Sequence, residues 1–67
     1  MYYYIAWLKR YGDKVILKSI SGPHPADKVE RIATEEFGEP HIFPYIFESF
    51  SPNKEEAIND FYATYEE

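Results

Sequence analysis

Apolar and aromatic residues along this chain fall into five blocks, separated by Gly12-Asp13, Ser21-Gly22-Pro23, Gly38-Glu39-Pro40 and Ser51-Pro52. Glycine tolerates positive φ and proline lacks an N–H, so each break reads as a turn or loop and each block as one element. Tyr2 to about Arg10 is dense in aromatic and branched residues and short for a helix, which predicts a strand. Gly12-Asp13 suits a hairpin turn, and Lys14 to Ile20 returns as strand two.

Val29, Ile32, Ala33 and Phe37 recur at helical spacing behind Pro25 and Asp27. Proline fits the first helical position and an acidic residue favours the positive helix start, so an amphipathic helix is predicted from about Pro25 to Phe37, stopped by Gly38 and Pro40. His41 to Phe50 reads as a third strand, held at an edge by Pro44. Ser51 then caps a second helix with Pro52 in its first turn and Ala57, Ile58, Phe61, Tyr62 and Tyr65 on its apolar side. Glu66 and Glu67 sit against the negative helix end, which predicts a frayed last turn.

The expected fold class is therefore α+β, with order β-β-α-β-α in a single domain over residues 1–67. Strand one is the more hydrophobic member of the hairpin and suits the centre. The reading is a two-layer sandwich: a three-stranded, mainly antiparallel sheet of order 2-1-3 with both helices on one face. The alternative sets strand three beside strand two, parallel, through a right-handed crossover.

Two hairpin registers are open. A two-residue loop at Gly12-Asp13 sets Arg10 against Val15 and puts Tyr4, Ala6, Leu8, Val15 and Leu17 on one side. Tyr3, Ile5, Trp7, Lys9, Tyr11, Lys14, Ile16, Lys18 and Ile20 then share the other. A bulged turn moves the register by one and regroups Ile5, Trp7, Val15 and Leu17. Both sides stay substantially apolar in either case, so a sheet covered on one face would show rings and aliphatics mixed with lysine to water, a surface that marks interfaces. The competing explanation is that lysine stems lie across the rings and the remainder is the apolar surface common to small proteins.

Charge sharpens this picture. Of a net −5, residues 1–20 carry Lys9, Arg10, Lys14 and Lys18 against Asp13 alone, whereas residues 21–67 carry Lys28, Arg31 and Lys54 against eleven carboxylates. The hairpin is basic and the remainder acidic, an asymmetry able to steer a charged partner. Seven tyrosines, five phenylalanines and one tryptophan supply core volume to a chain in which burial barely offsets chain entropy, so association is an economical source of further stability.

With zero cysteines, neither disulfides nor thiolate metal sites enter, and cytoplasm is the default location. Met1 to Leu8 lacks a basic leader and a small-residue cleavage site, so it does not read as a signal peptide, and it is short of the roughly 20 residues that span a bilayer.

Candidate chemistry is sparse. His24, Asp27, Glu39 and His41 could be drawn into a metal or acid–base site, but their spacing matches no zinc signature, and a histidine at an element boundary serves turns and caps. The serines form no nucleophile elbow and the three glycines no phosphate cradle, so no enzyme activity, cofactor or metal is expected. The carboxylate pairs Glu35-Glu36, Glu55-Glu56 and Glu66-Glu67 point about 100° apart on a helix and read as solvated faces.

The expectation is a non-enzymatic accessory or regulatory module. It binds a protein partner or a second copy through Tyr3, Trp7, Lys9, Tyr11, Lys14, Ile16 and Lys18, with Trp7 and Tyr11 as anchors. One rival is single-stranded nucleic acid, stacked on Tyr3, Trp7 and Tyr11 and held by Lys9, Arg10, Lys14 and Lys18, opposed by the net charge and the lack of an RNP-type motif. Another is an acidic inhibitor filling a basic groove on its target through Glu30, Glu35, Glu36, Glu55, Glu56 and Asp60.

Overall fold

The computed structural model describes residues 1–36 and 41–65. The elements are β1 (Tyr2–Tyr11), β2 (Lys14–His24), α1 (Val29–Glu36), β3 (Ile42–Ser49) and α2 (Lys54–Thr64). The sheet has the order β2-β1-β3, with β1 antiparallel to both neighbours. Class, element order and strand order therefore match the sequence expectation. The expected helix stop at Gly38 and Pro40 and the fraying at Glu66 and Glu67 lie outside the described residues.

The helix placement differs. Tyr4, Ala6 and Leu8 pack with Ile20, Phe47, Ala57 and Phe61, the last two on α2. Ile5 packs with Val29 and Ala33 of α1, with Tyr3, Trp7 and Ile32 against them. Since successive strand residues point to opposite faces, the helices lie on opposite sides of the sheet, in three layers rather than two. The cause lies in β1, whose Tyr4, Ile5, Ala6 and Leu8 are all buried and demand cover on both faces.

The hairpin turns through Gly12-Asp13 as a two-residue loop, with Tyr11 opposite Lys14, Arg10 opposite Val15 and Gly12 at φ 61°. The register then shifts between Leu8 and Trp7: Leu17 faces Leu8, Ser19 faces Trp7, and Lys18 is the extra residue of a bulge. The slip carries Ile20 across the sheet to pair with Ala6 in the α2-side core, away from the face that alternation alone predicts. A second irregularity lets β2 run through Ser21-Gly22-Pro23 to His24 instead of ending at Ile20. Gly22 holds φ 130° there, and a Cβ would stand 2.9 Å from Tyr4 Cδ1 and 3.0 Å from the Tyr3 carbonyl oxygen, so only glycine fits.

Both helix starts also shift. The Pro25 carbonyl accepts N–H bonds from Lys28 and Val29, both at 3.0 Å, so residues 26–28 form a turn and α1 begins at Val29. Asn53, not Ser51, is the N-cap of α2, its side chain accepting the Glu55 N–H at 2.8 Å. Ser51 braces the approach instead: its hydroxyl oxygen accepts from the Asn53 N–H at 3.0 Å, and its carbonyl accepts the Tyr4 hydroxyl at 2.6 Å. Ser49, only 1% exposed, donates its hydroxyl to Asp60 and accepts the Ser51 N–H at 3.1 Å. These bonds tie β1, β3 and α2 together where a buried polar group would otherwise cost stability.

Candidate functional site

Of the seven residues singled out from sequence, Tyr3, Trp7, Lys9, Tyr11, Lys14 and Ile16 share one side of the hairpin, the side that faces α1, and Lys18 sits in the bulge of β2. Their cross-strand pairs are Tyr11 with Lys14 and Lys9 with Ile16, while Trp7 stands opposite the bulge that contains Lys18. They divide into two groups. Tyr3 and Trp7 are half-buried against the Ile5–Val29–Ala33 cluster, so α1 has already claimed most of their rings.

The Trp7 indole N–H donates to Ser21 Oγ at 3.3 Å. That leaves the serine hydroxyl free to donate to His24 Nε2, 3.1 Å away. This chain ties the end of β2 to β1, and no carboxylate among the described residues hydrogen-bonds the imidazole. Tyr3 stands opposite Glu48, and hydrogen bonding to that carboxylate, followed by its charge and by partial burial, raises the phenol above its ordinary pKa.

The other five form an open strip at the hairpin end. Tyr11 is 51% exposed and Ile16 45%, and Lys14 and Lys18 are exposed beside them. Lys9 is half-buried, its Nζ 5.2 Å from the centroid of the Tyr11 ring. Arg10 points to the other face, with its guanidinium 5.8 Å from the Phe43 ring centroid. The ion pair found among the described residues joins Arg31 to Glu35 at 3.0 Å within α1, and no described carboxylate stands at ion-pair distance from a cation of the strip.

No group of three histidine or acidic side chains gathers among the described residues to hold a metal ion, and Glu39 of the drawn His24–Asp27–Glu39–His41 set lies outside them. No helix among the described residues is long and apolar enough to cross a membrane.

A second surface escaped the sequence reading. Phe50, 81% exposed, borders a groove of about 520 Å³ along β3 and α2, whose lining includes Met1, Ile46, Glu48, Asp60 and Ala63. The signal was present in the alternation of β3: Phe43, Tyr45 and Phe47 pack toward α2, which turns Ile46 and Glu48 outward. Compared with protein-family models, with curated proteins and with solved structures, the chain gives no match.

Proposed function

We propose that this protein is a non-catalytic interaction module that docks onto an acidic surface of a protein partner through the open end of its hairpin. The observation that carries the reading is the strip Lys9, Tyr11, Lys14, Ile16 and Lys18, where an exposed ring and an exposed isoleucine sit among lysines that form no ion pair with a described carboxylate. Unpaired cations steer and orient an acidic partner, and desolvating the two apolar side chains supplies affinity. Three described rings were candidates for stacking single-stranded nucleic acid, but two of them, Tyr3 and Trp7, lie against α1, so Tyr11 alone offers an open face. A cysteine-free chain is unconstrained by the redox state of its compartment, and the cytoplasm is its default place of work in this reading.

The test is site-specific photo-crosslinking in the native cell, with the reactive residue at position 16 and, as control, at the more accessible position 62 on α2. A discrete adduct with another protein from position 16 and none from position 62 is expected. Adducts with nucleic acid, with a second copy of the chain, or in equal yield from both positions would overturn the reading.

A further inference from the structure

We infer that the outer edge of β2 accepts an extended segment of the partner as a fourth strand, and that this segment alternates acidic, apolar and acidic side chains toward Lys14, Ile16 and Lys18. The inference rests on the docking surface proposed above and names what occupies it.

Among the described residues the order β2-β1-β3 pairs β2 with a strand on one side only, so its outer side offers backbone N–H and C=O groups to a further strand. Along that edge Lys14 and Ile16 project toward one face, and Lys18 follows as the unpaired residue of the bulge between Leu17 and Ser19. At roughly 3.3 Å per residue Lys14 and Ile16 stand about 6.6 Å apart, the repeat of every second residue on an added strand, and Lys18 continues the cationic edge from the bulge. Cation, apolar, cation on β2 therefore asks for carboxylate, apolar, carboxylate opposite. Lys9 and Tyr11, one strand inward and opposite Ile16 and Lys14, extend the same cationic and apolar surface beneath the added side chains.

A second copy fits this edge badly. Pairing two β2 strands about a two-fold axis at Ile16 joins the exposed isoleucines but sets Lys14 of each copy against Lys18 of the other, and like charges directly opposite are destabilising. Lysines on an edge strand also guard against aggregation, and that role alone would account for Lys14 and Lys18. It does not account for Ile16, which at 45% exposure is a liability at the centre of an edge built only to repel.

The test uses the full chain, isotopically labelled, titrated with a capped heptapeptide Thr-Glu-Thr-Val-Thr-Glu-Thr and with an isomer of the same composition that places its two glutamates side by side. The expected result is saturable binding of the alternating peptide, at least tenfold tighter than its isomer and weakened by salt, with amide shifts and slowed amide exchange centred on residues 14–18. A K14E/K18E variant, which keeps the edge charged, should exchange this preference for Thr-Lys-Thr-Val-Thr-Lys-Thr. Equal binding of both isomers, perturbation centred on α1 or α2, or no binding overturns strand addition. If position 16 still yields a protein adduct in the crosslinking experiment, the docking surface stands without it; if both fail, both readings fall.

Discussion

On the α2 side of the sheet, Tyr4, Phe47, Phe61, Tyr45 and Tyr65 interlock ring against ring, with Tyr4 and Phe47 stacked at 5.5 Å and Phe61 and Tyr65 at 5.2 Å. On the α1 side the buried set is Ile5, Val29 and Ala33, with Tyr3, Trp7 and Ile32 only half covered. The same central strand supplies both faces, so the difference comes from the helices. The eight residues of α1 extend about 12 Å, against about 33 Å for the ten residues of β1, and its contact side chains are small. The eleven residues of α2 are also shorter than the strand, but their rings reach across the sheet to meet those of β3. What α1 leaves uncovered is the hairpin end, where the candidate docking strip lies. The proposed docking surface is thus the shortfall of a short helix rather than a pocket shaped by dedicated side chains.

Substitutions placed on each side of the sheet should expose this imbalance. Phe61→Ala, which empties the ring cluster, should cost about 3–5 kcal/mol. A chain of 67 residues has roughly 3–10 kcal/mol of stability, so this variant should lose about a third or more of it, read as a lowered denaturant midpoint by circular dichroism. Gly22→Ala tests the passage of β2 past Tyr3 and Tyr4: positive φ and a Cβ at 2.9 Å from the Tyr4 ring together should cost about 2–4 kcal/mol in denaturant unfolding. Val29→Ala on the α1 side should cost only about 2 kcal/mol, and native-state amide exchange should show α1 opening locally before α2, which should open only with global unfolding.

Tyr4→Phe is expected to have the smallest effect near neutrality, about 1 kcal/mol for its bond to the Ser51 carbonyl. Its larger signature is at alkaline pH. Burial first, then the negative charges of ionised Tyr2, Asp60 and Glu56, raises the Tyr4 phenol above its ordinary 10.0. The fold thus favours the protonated form, a contribution fully present below pH 10.0 and lost as pH rises through the higher folded value. In pH-dependent unfolding, Tyr4→Phe should lose stability less steeply above pH 10.0 than the parent; identical alkaline slopes would remove Tyr4 from the account.

Much of the architecture was legible because glycine and proline mark the breaks and because Val29, Ile32 and Ala33 keep a helical period. The two-residue hairpin register was among the alternatives, and Tyr11 opposite Lys14 realises it. The helix faces were not legible. A strand apolar at every consecutive position, as β1 is from Tyr2 to Leu8, demands cover on both sides without saying which helix goes where. Nor does alternation announce a bulge, so the sequence pattern puts Ile20 on the face opposite to the one it occupies. Ser21-Gly22-Pro23 reads as a stop, yet glycine's positive φ lets the strand bend and continue. Within the candidate site, the choice of side was legible while the division between Trp7 and Tyr11 was not, because how far α1 reaches depends on a turn at residues 26–28 that delays its start.

The additional residue at Lys18 gives β2 two reading frames. Up to Leu17 the strand presents Lys14 and Ile16 outward; beyond the slip, the inverted phase delivers Ile20 to the rings behind. One continuous backbone is in this way partitioned into segments with separate obligations. Evolution, or a designer, can rewrite what the outward residues meet at the hairpin end without renegotiating the anchorage that holds the other end in place.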